Sequence, residues 1–218
     1  MSQDDYGVTW ANQKLNMPRR RNELEVYIQR YLPELNRMDP GLVIDIGCGP
    51  GDFLSMCKEM GHDALGIDAP DGEGGMGDAY LELCKKYCGR FGVDVWRCGF
   101  EDVLMDSDTW HISQPVCCIN LRGSIEQALS SCMVGPPHHE HHRADKLDWN
   151  TETAVWWLDK LMWFASSHLV EGGVLLIHAN GTNKTDGWYD RAIRVCADTV
   201  GLVLVRQEGL LLHKWRKA

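Results

Sequence analysis

Residues 43–54 constrain the fold of this chain more than any other stretch. The apolar run from Val43 to Ile46, interrupted only by Asp45, is typical of a strand buried on both faces. Glycines at alternate positions follow the run, and apolar residues at helical spacing follow the glycines. The pattern predicts a strand, a tight turn and a helix. Because glycine has no Cβ, such a turn lets the backbone approach a ligand closely, and the helix start directs N–H groups towards it.

The spacing of the glycines separates two classes of ligand. A dinucleotide-binding turn needs G-x-G-x-x-G, but here Asp52 holds the third position and Gly51 comes one residue early. The segment from Asp45 through Gly47 and Gly49 to Gly51 reads D-x-G-x-G-x-G. It resembles the first motif of class I S-adenosylmethionine (SAM) dependent methyltransferases. A glycine-rich turn without a ligand is the remaining alternative.

The resemblance covers roughly residues 41–214 and implies the fold class. We expect an α/β fold, a three-layer doubly wound seven-stranded sheet that is mostly parallel and has an antiparallel C-terminal edge strand. Residues 1–40 are expected to form an N-terminal arm and helix that cap the site. Residues 41–218 are expected to form the SAM-binding domain, with an inserted histidine-rich loop at about 132–150.

The same resemblance implies the residues that bind SAM. Asp45 is expected to fix the amino acid end of SAM above the glycine turn. Asp68, at the end of the second predicted strand, is placed to accept hydrogen bonds from ribose hydroxyls, the alternative being a solvent-facing acid. Phe100 is expected to pack on the adenine, and either Glu101 or Asp102 to accept from its amino group, unless both are surface acids. The full predicted set is Asp45, Gly47, Cys48, Gly49, Gly51, Phe53, Asp68, Ala69, Phe100, Glu101, Asp102, Asn120, Leu121 and Arg122.

The stretch after the fourth predicted strand bears on the methyl acceptor. Enzymes that methylate amino groups of nucleic acids typically have Asp or Asn, then Pro-Pro and an aromatic residue there, but this chain has Asn120-Leu121-Arg122-Gly123. The difference favours a hydroxyl of a small molecule or a sugar as the methyl acceptor. A nucleic-acid or protein methyltransferase, or a catalytically inactive SAM-binding partner protein, are the alternatives.

A hydroxyl acceptor calls for a base, and the histidines at 138–142 are the main candidates. The same loop is the one place where a metal ion is conceivable, although none is expected, and a plain polar loop is the third interpretation. The predicted catalytic residues are His138, His139, His141, Glu126 and Arg122.

Composition excludes other classes of function. A net charge of -9 argues against a broad nucleic-acid surface, which needs clustered Lys and Arg. The chain shows neither an apolar run long enough to span a membrane nor a signal-peptide core, so a cytoplasmic location is expected. Nine cysteines without a C-x-x-C pair indicate reduced, mostly buried thiols. The tryptophans at 156, 157 and 163 are interpreted as helix packing rather than as a binding box.

Overall fold

A parallel sheet organises the chain. The computed structural model describes residues 32–48, 51–68, 92–97, 112–121, 151–177, 188–208 and 212–217. Five parallel strands lie in the order β3-β2-β1-β4-β5, which confirms the predicted α/β class. They are β1 (Leu42–Ile46), β2 (Asp63–Asp68), β3 (Asp94–Arg97), β4 (Val116–Leu121) and β5 (Leu169–Ile177).

Two C-terminal strands extend the sheet beyond β5. They are β6 (Leu202–Glu208) and β7 (Leu212–Lys217), and the order is β5-β7-β6. The sequence interpretation placed the antiparallel C-terminal strand at the edge, whereas β7 pairs antiparallel with both β5 and β6, and β6 is the edge strand. The chain crosses from β5 to β6 and leaves one position in the sheet open. The hairpin partner β7 then fills it.

Helices cover both faces of the sheet. The described helices are α1 (Leu32–Leu35), α2 (Asp52–Glu59), α3 (Thr151–His168) and α4 (Trp188–Thr199). Alternate residues of β1 belong to different layers, because Ile44 packs in the layer of α3 and α4, while Val43 packs in the layer of α2. Both residues are fully buried. Within the described residues this gives three layers, with the sheet in the middle.

Hydrogen bonds from side chains to backbone carbonyl groups connect the ends of the helices and strands. Lys217 donates to the carbonyl oxygens of Ser166 and Leu169, at 2.5 and 2.7 Å, and so joins β7 to the end of α3. The buried His62 donates from Nε2 to the carbonyl oxygen of Leu35, 3.2 Å away. Its Nδ1 lies 3.6 Å from Sγ of Cys117. This second contact set joins α1 to the start of β4, at the amino edge of the sheet.

A helix that crosses a bilayer needs about 20 predominantly apolar residues. None of the helices in the described ranges combines the length and the apolar character that a membrane crossing requires. The longest of them, α3, has eighteen residues and carries Asp159 and Lys160 in its middle.

Candidate functional site

The carboxyl ends of β1, β2 and β4 bring the predicted site residues together. The register pairs Asp45 of β1 with Gly66 of β2 on one side and with Asn120 of β4 on the other. Asp68 is the last residue of β2 and is half-buried. Because the three strands are parallel, Asp45, Asp68 and Asn120 lie at the same edge of the sheet. Ligands of open α/β sheets bind at this edge.

The turn after β1 is held by hydrogen bonds to the neighbouring strand. The amides of Gly47 and Cys48 both donate to the carbonyl oxygen of Ile67, at 2.7 and 3.2 Å. The φ angles of Gly47 and Gly51 are 74° and 83°, in the left-handed region where a side chain would be strained. These two glycines therefore fix the path of the turn, and β2 fixes its position.

The helix α2 begins directly at this turn. Gly51 is its N-cap and, having no side chain, makes no side-chain cap hydrogen bond. The first intrahelical bond is donated by the amide of Ser55 to the carbonyl oxygen of Gly51, at 2.9 Å. The amides of the first turn precede this bond and point towards the carboxyl edge of the sheet. An anionic group above the turn would be stabilised by them and by the helix dipole.

A buried polar pair lies beside the turn. Nδ2 of Asn120 donates to Oδ1 of Asp45 at 2.8 Å, and the two residues are 1% and 0% exposed. This bond fixes the orientation of the Asn120 amide. Within the described ranges, Oδ1 of Asn120 accepts no hydrogen bond although it is buried. A buried acceptor of this kind costs stability unless something donates to it.

Gly66 is a part of the site that the sequence analysis missed. A Cβ at this position would lie 2.6 Å from Sγ of Cys48 and 2.9 Å from Cδ1 of Leu54. The glycine turn and α2 therefore pack on β2 at a distance that only glycine allows. In a dinucleotide-binding turn the third glycine permits this close packing, whereas here the neighbouring strand supplies it. The available signal was a glycine inside a buried strand, which often marks a close backbone approach.

Three of the predicted ligand-binding residues present little or no side chain at this edge. The side chains of Cys48, Phe53 and Leu121 are almost fully buried in the core. Below the turn, burial and then the Asp45 carboxylate raise the pKa of the Cys57 thiol, so this neighbour of the site stays protonated.

The described residues hold only part of the predicted site. Asp45, Gly47, Gly51, Asp68 and Asn120 are brought to one edge of the sheet. The other predicted residues lie outside the described residues. They are Gly49, Ala69, Phe100, Glu101 and Asp102 of the ligand set, and Arg122, Glu126, His138, His139 and His141 of the catalytic set.

Comparison with known proteins gives a fold rather than a close relative. No family model matches the sequence, and neither does any curated protein. Among solved structures, a TehB-like SAM-dependent methyltransferase from Corynebacterium glutamicum is similar over 95% of this chain and 99% of its own. The two share 15% identity, with a TM-score of 0.56.

Two further solved structures agree with the first. A SAM-dependent methyltransferase from Archaeoglobus fulgidus has a TM-score of 0.53 and 16% identity, over 84% of this chain and 69% of its own. An O-methyltransferase family protein from Burkholderia thailandensis has a TM-score of 0.51 and 13% identity, over 87% of this chain and 56% of its own. The chain therefore has the Rossmann-like fold of class I SAM-dependent methyltransferases.

Proposed function

We propose that this protein is an enzyme that transfers a methyl group from SAM. The observation that carries the proposal is the buried pair of Asp45 and Asn120 beside a left-handed glycine turn, in a chain with this fold. The amino acid end of SAM carries an ammonium and a carboxylate. The ammonium matches the Asp45 carboxylate and the buried Oδ1 of Asn120, and the carboxylate matches the amides at the start of α2.

The chain's contribution to the reaction is mainly positioning. SAM supplies a methyl group on a positively charged sulfur, and an in-line displacement moves it to the acceptor while the electron pair of the broken C–S bond stays on sulfur. Asp45 and Asn120 hold one end of the donor, and Asp68 at the end of β2 accepts from the ribose hydroxyls. Fixing the donor against a bound acceptor removes much of the entropic cost of the reaction.

The acceptor side of the proposal rests on the sequence. A hydroxyl of a small molecule or sugar fits the Asn120-Leu121-Arg122 stretch, which lacks the Pro-Pro-aromatic run of amino-methylating enzymes. One histidine of His138, His139 and His141 then removes the hydroxyl proton as the methyl group arrives. We assign Arg122 and Glu126 to the acceptor side, and Phe100 with either Glu101 or Asp102 to adenine. Residues 1–40 act as a cap in this scheme.

Calorimetric titration with SAM and with its product S-adenosylhomocysteine tests the donor site. Asp45→Asn keeps the shape and an acceptor for Asn120 but removes the charge. We expect it to weaken SAM binding by about 10–100-fold, the range for a hydrogen bond to a charged group. Asp68→Asn is expected to weaken the binding of SAM and of S-adenosylhomocysteine to a similar extent.

Asp63→Asn is the matched control, because Asp63 begins the strand that Asp68 ends and lies at the opposite edge of the sheet. Its partner is Lys58, 3.3 Å away at the surface, so the control is expected to bind SAM with unchanged affinity. An unchanged affinity in Asp45→Asn would overturn the donor site. If SAM binds as expected, incubation with tritium-labelled SAM and separate pools of small hydroxyl compounds, RNA and protein identifies the acceptor class.

A further inference from the structure

The outer face of α3 exposes two tryptophans. Trp156 and Trp163 are each 43% exposed, and they are seven residues apart, close to two full turns, or about 10.5 Å along the helix. The buried residues Leu158 and Ala165 lie on the opposite side of the helix. Packing of these tryptophans within the fold stays a prediction, while Trp156 and Trp163 also present part of their surface outwards. Large aromatic side chains at this level of exposure are typical of interaction surfaces.

Opposite charges flank the two tryptophans. At about 100° per residue, Asp159 lies to one side of the line joining the tryptophans and Lys160 to the other. The side chain of Lys160 reaches back over Trp156, with Nζ 5.4 Å from the centre of the ring. We call these four residues, Trp156, Asp159, Lys160 and Trp163, the tryptophan face.

The side of Asp159 borders α4. Ser166, which lies on the same side of α3, donates to the carbonyl oxygen of Val200 just after α4, at 2.8 Å. Burial and then the charge of Asp159 raise the pKa of Cys196 on α4, as expected for a carboxylate next to that helix. On α4, Val195 is 64% exposed.

We propose that the tryptophan face binds a second copy of this chain around a twofold axis that runs parallel to α3. In this arrangement each tryptophan meets the same tryptophan of the second copy. A residue on one flank meets the opposite flank of the second copy, so Asp159 faces Lys160 of the second copy, and the same pair repeats on the other side of the axis. Such an interface is self-complementary in both shape and charge.

The charges also exclude the other helical pairing. A twofold axis perpendicular to α3 would make the helices antiparallel and bring equal flanks together. Asp159 would then face Asp159 of the second copy, and Lys160 would face Lys160, which is repulsive on both sides. The tryptophans supply the binding energy, because buried tryptophans dominate the energetics of many interfaces. The flanking charges select the parallel orientation.

Sedimentation equilibrium of the full chain over roughly 1–100 µM tests this proposal. We expect a reversible dimer, and we expect Trp156→Ala and Trp163→Ala each to raise its Kd at least about tenfold. Asp159→Lys and Lys160→Asp should each weaken the dimer, because each single change places like charges opposite one another. The double variant Asp159→Lys with Lys160→Asp should restore the dimer, because it exchanges the two flanks.

The control is Glu59→Lys, an equal charge change at an exposed position at the end of α2, which should leave the dimer unchanged. Circular dichroism of each variant distinguishes lost association from lost folding. A chain that stays monomeric across the range overturns the proposal, and so does a dimer that none of the four single variants weakens. A dimer weakened by the tryptophan variants but not restored by the double charge exchange contradicts the parallel orientation.

Discussion

At the scale of single residues, the bond between Asn120 and Asp45 lets a carboxylate lie inside the protein. Both side chains are buried, and the amide donates across 2.8 Å. Asn120→Asp replaces the donor by a second acid of nearly the same shape. Two buried carboxyl groups in contact cannot both ionise cheaply, so the pKa of one rises above its unfolded value. We expect this variant to lose about 3 kcal/mol of unfolding free energy at pH 8.

The pH dependence of this loss has a definite sign. A carboxyl whose pKa is raised in the folded state binds more protons folded than unfolded, so the variant loses stability as pH rises above the unfolded pKa of about 4. Urea unfolding at pH 5 and pH 8 measures the difference relative to the wild type. Asn120→Leu removes the donor without adding an acid, so only Asp45 itself can titrate, and the loss between pH 5 and pH 8 should be smaller than in Asn120→Asp. Equal behaviour of the two variants would contradict the shared-proton explanation.

Whether these residues can be predicted from sequence depends on how far apart in the chain the interacting residues lie. Asp45, Gly47 and Gly51 could be proposed as site residues from sequence because the motif lies within seven adjacent positions. The contact between Asp45 and Asn120 joins residues 75 positions apart, and it depends on the register between β1 and β4. That register shifts between Leu42 and Val43, and no local sequence pattern predicts the shift.

At the scale of elements, α2 is pressed against β2 at Gly66. Gly66→Ala would place a Cβ within 3 Å of Cys48 Sγ and Leu54 Cδ1, both in a filled core. We expect a loss of about 1–3 kcal/mol in unfolding free energy, as for other overpacked cores. The SAM affinity should fall as well, because the glycine turn and the start of α2 would be displaced. Urea unfolding and calorimetric titration measure the two effects.

Combining Gly66→Ala with Cys48→Ala shows whether the contact with Cys48 Sγ causes the loss of stability. Removing Sγ leaves room for the new methyl group, so the double variant should be more stable than the sum of the single effects by at least about 0.5 kcal/mol. Strictly additive losses would mean that the strain lies elsewhere, for example at Leu54. The helix and strand themselves were predictable from apolar periodicity. Their close approach was not, because it depends on which face of α2 meets which residue of β2.

At the scale of the whole molecule, the sequence was informative about the alternation of strands and helices and less so about the end of the sheet. Apolar runs separated by helical patterns predicted the parallel strands, since these are buried on both faces. Sequence alone did not predict the order of the last two strands. A sheet that ends β5-β6-β7 and one that ends β5-β7-β6 use the same two strands and the same turn. Only pairing with β5 distinguishes them, and β7 rather than β6 makes that pairing.

This order predicts the effect of removing the C-terminus. Truncation after Glu208 deletes β7 from the interior of the sheet and takes away the partner of both β5 and β6. It also removes Lys217, which joins the sheet to the end of α3. The freed backbone of β5, next to the buried Leu175 and Ile177, would be an edge prone to aggregation. We therefore expect the truncated chain to show no cooperative unfolding transition and to aggregate, as measured by urea denaturation and light scattering.

A change at the true edge of the sheet is the appropriate comparison. Val203 lies on β6 and is 55% exposed, so Val203→Lys puts a charge on a strand whose one neighbour among the described strands is β7. The full-length variant should unfold cooperatively, within about 0.5 kcal/mol of the wild type, as is usual for surface substitutions. If the truncated chain instead remains soluble and unfolds cooperatively with a similarly small loss, β7 contributes no more than an edge strand would. The pairing of β7 with β5 would then be wrong, since loss of an interior strand breaks two ladders of hydrogen bonds at once.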